Sequence, residues 1–327
     1  MFFVHTSLVL MMSLQRERLD GPKLFFNFYI RRFFRIYPLS IACVLIVFVT
    51  HYHYSPAGGI VYWLWTRREL FANVLLVQNL MRVHSMFTVM WTLPLEVQMY
   101  VFLPFLFLLA RSCRMRTLYF LWCGAVVLAA IQPHVSDRLD LLSYVPCFVP
   151  GVIAWAISSR VHPRLPGFLW PLTLFTMSLA SLFYLRNRLY VAWAFCLLLG
   201  LAIPQFSEIR SARIKAASKT IAKYSYGIYL SHVFALSLGF ALFRNHVAQW
   251  SIFLFLAFLL PYAMYHLIEH PGIRLGKLVA KKLCQPGRKV QDSKRSPEET
   301  VDSAAGIVDN PPAAAAIGVG DSEALGS

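Results

Sequence analysis

Long runs of apolar residues follow one another along the chain, separated by short polar connections. Nine of these runs are candidate membrane spans, at approximately residues 2–14, 37–53, 92–110, 117–132, 141–158, 168–185, 189–205, 221–243 and 249–268. A bilayer core of about 30 Å is crossed by about 20 helical residues, so several runs need their aromatic and basic flanks to complete a span. The runs are continuous rather than alternating, which indicates helices instead of barrel strands. The pattern predicts an all-α polytopic membrane protein of about nine helices.

Two segments depart from this pattern. The longest connection between runs, residues 54–90, contains a moderately apolar stretch from Leu70 to Met81 that is typical of an interfacial or re-entrant helix. Toward the C-terminus the chain becomes rich in Pro, Gly, Ala, Ser and acidic residues and loses its aromatic residues. Such a composition buries too little apolar surface to offset the entropy of ordering. We therefore predict a membrane domain over residues 1–280 and a disordered cytoplasmic tail over residues 281–327.

Composition supports the membrane assignment. The 327 residues are 58% hydrophobic and 14% charged, whereas a soluble domain carries about 25% charged residues. The net charge of +16 could indicate nucleic-acid binding, but 24 of the 31 Lys and Arg residues lie in alternate connections and only 7 lie in the others. This asymmetry is typical of the positive-inside rule and places the basic connections and the C-terminus in the cytoplasm. It predicts membrane lipid, rather than nucleic acid, as a partner, and a basic surface that favours anionic lipids and anionic cofactors.

The six cysteines show no paired spacing, and most lie in or beside apolar runs, where a thiol behaves as a small hydrophobic group. The sequence also contains no His and Cys cluster with metal-ligand spacing. We predict neither a disulfide nor a metal site.

An arginine cluster occupies the segment FNFYIRRFFRIYP, residues 26–38. It places Arg31, Arg32 and Arg35 at the mouth of the second span, with Pro38 in its first turn. On a helix Arg31 and Arg35 share one face, and Arg32 lies about 100° away. The cluster fits either an ordinary cytoplasmic anchor or an anion clamp, because guanidinium groups bind phosphates such as those of coenzyme A.

A second candidate is MWTLPLEVQMY, residues 90–100, where Glu96 stands near the outer end of a span. Pro94 lies in the first turn, and Tyr100 follows Glu96 by one helical turn. Glu96 could be only a helix N-terminal charge favoured by the helix dipole. In a poorly solvated cavity it could instead serve as a general acid or base.

A third candidate is KYSYGIYLSHVF, residues 223–234. Ser225, Ser231 and His232 supply polar atoms on an otherwise apolar helix. Hydrogen bonding between helices is the better interpretation of the serines. His232 could line a cavity.

Two further ionisable groups receive a structural interpretation. In YHLIEHPGIRLGKL, residues 265–278, Glu269 precedes a helix-ending His-Pro-Gly, and we expect it to form a surface ion pair near Arg274 and Lys277. His5 lies in the first apolar run, and we expect a packed polar residue there rather than a base.

Taken together, these segments resemble the acyltransferase-3 family of membrane O-acyltransferases. The family markers appear in order as FFVHTSLVLM (2–11), FYIRRFFRIYP (28–38), WTLPLEVQMY (91–100), SYGIYLSH (225–232) and IEHP (268–271). Each motif alone is weak, but the five in order cover about residues 2–278.

The resemblance implies a ten-helix bundle that takes an acyl group, typically acetyl, from cytoplasmic acyl-CoA. The acceptor would be a hydroxyl of a cell-envelope saccharide or glycoconjugate. Arg31, Arg32 and Arg35 would hold the donor or orient the site. Glu96 and Tyr100 would lie on the acceptor side, and His232 would be a further residue of the catalytic site.

The sequence departs from the family pattern in two places. FVHTSL stands where the family has a Ser-Gly pair, and residue 2 begins where the second family helix should. The first family helix carries the His expected to act as general base. The resemblance therefore implies either a start upstream of Met1 or a truncated copy, and one additional span would bring the N-terminus to the cytoplasm.

Two other functions remain compatible with the sequence. A transporter or flippase of lipid-linked sugars would need polar residues at many mid-span positions, whereas here they concentrate near the span ends. A non-catalytic family member that acts as an assembly partner would need no intact site.

Overall fold

The computed structural model describes residues 2–17, 19, 21–54, 60–136, 138–184, 189–209, 211–241 and 245–284. The predicted disordered tail falls mainly on residues 285–327, which lie outside the described residues.

The described residues form twelve α-helices and one β-hairpin. The helices are α1 Phe2–Arg16, α2 Pro22–Thr50, α3 Arg67–Val74, α4 Gln78–Met81, α5 Thr92–Ser112, α6 Met115–Val135, α7 Asp140–Ser158, α8 Trp170–Tyr184, α9 Leu189–Ala202, α10 Ala212–Ala241, α11 His246–Met264 and α12 His270–Cys284. The hairpin pairs β1 Tyr52–Tyr54 with β2 Ile60–Tyr62 in antiparallel register.

The predicted helical class is confirmed. In the described part of the chain, five segments are long and apolar enough to cross a membrane: Pro22–Thr50, Thr88–Ser112, Met115–Val135, Asp140–Ser158 and His246–Cys284. Two shorter apolar helices cover Gly167–Ser181 and Leu189–Gln205. The predicted number of about nine spans stays a prediction.

Helix α7 lies at the centre of one half of the bundle, where it packs against α1, α5, α6 and α9. Pro150 lacks the amide that would bond the carbonyl of Pro146, and the indole of Trp122 on α6 donates to that carbonyl at 3.0 Å instead. A Cβ atom at Gly151 would overlap the side chain of Ser7 and the carbonyl of Val4. The absence of that atom lets α1 approach α7 closely, and Ser7 Oγ then donates to the carbonyl of Phe148 at 2.8 Å.

Helix α2 is longer than the sequence predicts. It begins at Pro22 and continues through Pro38 to Thr50, so the arginine cluster lies inside the helix. The prediction that Pro38 occupies a first turn is therefore wrong. Proline in a helix interior leaves the carbonyl four residues earlier without its amide partner. Here that carbonyl belongs to Phe34 and faces α12 at Gly272.

The segment that ends the bundle also differs from the prediction. The expected helix-ending His-Pro-Gly is wrong, because these residues lie inside one continuous helical segment, His246–Cys284. A π-helical turn over Tyr265–Glu269 joins α11 to α12. Gly272 and Gly276 allow α12 to pack directly on Phe34 of α2. The helix continues to Cys284, past the predicted domain boundary at residue 280, and Ala280 and Cys284 are buried on it.

The connection between β2 and α5 is built from short helices. Thr66 and Glu69 form a capping box at the start of α3, with the Glu69 amide 3.2 Å from Thr66 Oγ1 and the Thr66 amide 2.9 Å from Glu69 Oε2. Asn73 donates to the carbonyls of Glu69 and His84 and accepts from the Met86 amide. The apolar stretch from Leu70 to Met81 is therefore divided between α3 and α4, and this folded connection positions the first turn of α5.

Candidate functional site

A cleft of about 200 Å³ lies where α1, α2, α5 and α10 meet. Fourteen residues line it: Phe2, His5, Thr6, Val9, Leu10, Arg32, Arg35, Ile36, Leu93, Glu96, Tyr100, Ser225, Tyr226 and Tyr229. Four of the six residues predicted for the site, Arg32, Arg35, Glu96 and Tyr100, are among them. The cleft thus joins motifs that lie far apart in the sequence.

The three predicted arginines divide between two environments. Arg32 and Arg35 are three positions apart and line the cleft together with Ile36. Arg31 points elsewhere and forms an ion pair with Glu17, which also accepts from Asn27 Nδ2 at 2.9 Å. Arg31 and Arg35 are one helical turn apart on α2, but the ion pair with Glu17 directs the Arg31 side chain away from the cleft.

The guanidinium groups in the cleft retain free donors. Arg32 Nη2 lies 3.4 Å from Ser13 Oγ, and the Arg32 guanidinium lies 5.7 Å from the centroid of the Phe28 ring. Within the described residues, Arg35 makes no hydrogen bond or ion pair at contact distance. Guanidinium N–H groups without protein acceptors are suited to an oxygen of a ligand.

Glu96 and Tyr100 form a local pair on α5. Their side chains are 6% and 7% exposed, and the Tyr100 hydroxyl donates to Glu96 Oε2 at 2.8 Å. Pro94 lies in the first turn of the helix, as predicted. Buried charges require compensation, and Arg32 and Arg35 lie within electrostatic range of Glu96 and act against the cost of burying its charge. Glu96 is thus a buried, oriented carboxylate rather than an exposed helix-terminal charge.

Two tyrosines of α10 hold this helix against the other walls of the cleft. The Tyr226 hydroxyl donates to the carbonyl of Ile36 on α2 at 2.9 Å. The Tyr229 hydroxyl lies 2.6 Å from Thr92 Oγ1 at the start of α5 and also contacts the carbonyl of Val89. These bonds connect α10 to both α2 and α5.

His5 is the cleft residue that sequence reasoning set aside. Its imidazole lines the cleft with Arg32, Arg35 and Glu96, and it has no hydrogen-bond partner among the described residues. The expectation of a packed polar residue is therefore wrong. No local signal distinguished His5, because its position depends on the packing of α1 between α5 and α7.

Glu269 is a second buried acid near the arginines. It is 1% exposed, its Oε2 atom has no hydrogen-bond partner among the described residues, and it lies within electrostatic range of Arg35. The predicted surface ion pair with Arg274 or Lys277 is wrong, because the π-helical turn directs the carboxylate inward. Two buried acids, Glu96 and Glu269, thus accompany the two arginines of the cleft.

The remaining predicted residues on α10 make contacts within their own helix. His232 lies outside the cleft lining, and its Nδ1 atom is 2.7 Å from the carbonyl of Tyr229. Ser225 lines the cleft and donates to the carbonyl of Ala222 at 2.9 Å. Ser231 Oγ is buried without a partner in the described part of the chain. Hydrogen bonding between helices, the preferred interpretation of the serines, is therefore not observed.

A larger cavity of about 490 Å³ lies at the other end of α1. Gln15, Glu17, Arg111, Trp155 and Arg160 are among its lining residues. Its walls include the ends of α5 and α7, where two basic connections begin. Through Glu17 the cavity borders Arg31, and Ser13 on the preceding turn of α1 contacts Arg32.

Within the described ranges, no three His, Cys, Asp or Glu side chains lie close enough together to hold a metal ion.

Comparisons with known proteins identify a family for most of the chain. A family sequence model described as an acyltransferase domain matches residues 1–266. A protein of Acidianus two-tailed virus, named "Putative acetyltransferase ORF330", is 26% identical over 234 residues, which cover 66% of this chain and 67% of that protein. No solved structure gives a significant match.

Proposed function

Since the chain belongs to the acyltransferase-3 family and is an integral membrane acyltransferase, we propose that it moves an acyl group, in the first instance acetyl, from acyl-CoA to a hydroxyl of a cell-envelope saccharide or glycoconjugate. The observation that carries this proposal is the cleft, which gathers two arginines, a carboxylate and an unpartnered imidazole from three helices.

The reaction forms an ester bond between the acceptor oxygen and the acyl carbon, and it breaks the bond from that carbon to sulfur. The acceptor hydroxyl loses its proton to a base, and the departing thiolate of coenzyme A gains a proton. His5 is the base that we assign, because it is free of protein partners in the cleft. General bases placed in this way contribute about 10²–10⁴-fold to the rate.

The arginines have a separate role. Negative charge develops on the thioester oxygen as the hydroxyl attacks, and fixed donors aimed at that oxygen stabilise the transition state. Arg35 has free N–H groups that can serve as these donors, with Arg32 beside it. Glu96, held by Tyr100, accepts from the acceptor's hydroxyl or from a neighbouring sugar hydroxyl and orients it.

We place the coenzyme A portion of the donor in the 490 Å³ cavity, whose volume is within the range of about 300–1,000 Å³ typical of ligand sites. Arg111 and Arg160 on its walls suit phosphate oxygens. The cavity opens at the end of the bundle that carries the basic connections, and we propose that this end faces the cytoplasm of a bacterial inner membrane. The C-terminus would then also be cytoplasmic.

The test is acyl transfer by membranes that contain the protein. Membranes receive acetyl-labelled acetyl-CoA and a cell-envelope fraction, and mild alkali then releases label that is held as an O-ester. We expect Arg32→Ala and Glu96→Gln to abolish the alkali-labile label. Arg116→Ala and Glu208→Gln are matched controls, because both residues are exposed and neither lines the cleft or the cavity.

Loss in the cleft variants with retention in the controls supports the proposal. Retained transfer in Arg32→Ala and Glu96→Gln would refute the residue assignments. Sugar flux in proteoliposomes without acyl-CoA would favour a transporter of lipid-linked sugars, and a phenotype unchanged in all variants would favour a non-catalytic assembly partner.

A further inference from the structure

A cationic and aromatic cluster lies where α10 meets the π-helical turn. It consists of Lys223, Tyr224, Tyr265, His266 and His270. Lys223 Nζ lies 4.8 Å from the centroid of the Tyr224 ring and 4.6 Å from that of Tyr265. The Tyr224 hydroxyl lies 3.3 Å from His266 Nε2. These contacts hold the ammonium group over aromatic faces at the edge of the bundle.

An apolar groove of about 730 Å³ begins at this cluster and runs between α10 and α11. Tyr224 belongs to both features. Farther along the groove the lining is formed by Ile228, Phe255 and Phe258. The apolar walls of the groove suit a hydrocarbon chain.

The charge at the mouth of the groove lacks a protein counterion. His270 lies within electrostatic range of Lys223, Arg274 and Lys277, and none of these three cations forms an ion pair among the described residues. Glu269, the nearest acid in sequence, is turned into the bundle. An anion is therefore the ligand that complements this mouth.

We propose that the groove binds an anionic phospholipid, with one acyl chain between α10 and α11 and the phosphate against Lys223, Arg274 and Lys277. The apolar groove favours a lipid over a soluble phosphate, because burial of a hydrocarbon chain adds affinity that a free anion cannot gain. Tyrosine at the junction is typical of the membrane interface, where one end of the side chain is apolar and the other is wet. The bound lipid packs on the face of α10 that carries Tyr224 and Ile228, whereas Tyr226 and Tyr229 face the cleft.

The test measures lipid retention by native mass spectrometry. The full chain is released from micelles that contain equal amounts of phosphatidylglycerol and phosphatidylcholine with identical acyl chains. We expect the wild type to retain phosphatidylglycerol in preference. Each basic residue near a membrane surface changes the affinity for anionic lipid about fivefold, so Lys223→Gln with Arg274→Gln should lower the preference about 25-fold. Arg116→Gln with Arg164→Gln removes the same charge at exposed positions outside the groove and should leave the preference unchanged.

A second pair of variants tests the chain-binding part. Ala257→Leu fills the groove and should reduce the retention of both lipids, whereas Ala130→Leu, at an exposed position outside the groove, should not. Millimolar inorganic phosphate should not displace the lipid. Equal retention of the two lipids by the wild type, an equal effect of the two charge-removing pairs, or complete displacement by phosphate would overturn the proposal. None of these measurements depends on acyl transfer.

Discussion

The substitution Tyr100→Phe removes one hydroxyl from the cleft and leaves the aromatic ring in place. That hydroxyl donates to Glu96 Oε2 at 2.8 Å, and both side chains are less than 10% exposed. Water is therefore poorly placed to replace the lost donor. A hydrogen bond to a charged group contributes about 1.5–3 kcal/mol. If Glu96 must hold this orientation in the transition state, the rate falls about tenfold to about 150-fold, because about 1.4 kcal/mol corresponds to a factor of ten.

The assay is the initial rate of label transfer from acetyl-CoA, measured over a range of donor and acceptor concentrations. We expect kcat to fall while KM for acetyl-CoA stays unchanged, because Tyr100 lines the cleft but not the larger cavity. Tyr29→Phe is the matched control, since the Tyr29 hydroxyl donates to the carbonyl of Val101 at 2.9 Å outside the cleft. A rate for Tyr100→Phe within twofold of wild type would refute the role of this hydrogen bond.

The remaining predictions use the same membranes or the purified protein. His5→Ala should lower the transfer rate about 10²–10⁴-fold, and added imidazole should restore part of the activity; wild-type rates would remove His5 from the mechanism. His232→Ala should change the rate by less than about threefold, because its hydrogen bonds are confined to its own helix; a loss of a hundredfold would return His232 to the site. Gly151→Ala should destabilise the fold by about 1–3 kcal/mol or more, because its Cβ would overlap Ser7, whereas Gly124→Ala, with open space around it, should be neutral or stabilising. Thermal unfolding in detergent followed by size-exclusion chromatography compares these two variants, and equal midpoints would contradict the packing argument.

Predictions from local sequence patterns were correct where the structural feature depends only on residues close together in the chain. Continuous apolar runs form helices because unpaired backbone groups cannot be left in lipid, so the helical class followed from the sequence. Glu96 and Tyr100 are one helical turn apart, and their contact depends only on that spacing. The ordered motifs likewise carried the family assignment, which the match over residues 1–266 confirms.

Local rules failed at both prolines that were expected to mark helix boundaries. Pro38 lies in the interior of α2, and Pro271 lies inside the continuous helical segment His246–Cys284. Proline removes one backbone hydrogen bond, but packing against a neighbouring helix can offset the free energy that this loss costs. Here α2 and α12 pack along each other at Gly272 and Gly276, and that contact supports both helices.

The composition of the cleft depended on contacts between residues far apart in the chain. Arg31 and Arg32 are adjacent in sequence, but Glu17 binds Arg31 while Arg32 lines the cleft. His5 has no informative neighbours in sequence and enters the cleft only because α1 packs against α5 and α7. The sequence by itself thus determined the class of fold, the family and the types of side chain available for chemistry, since these depend on hydrophobicity and short spacings. Only the tertiary structure decided which of those side chains share a cavity, because that choice is made by helix packing between segments that no local pattern relates.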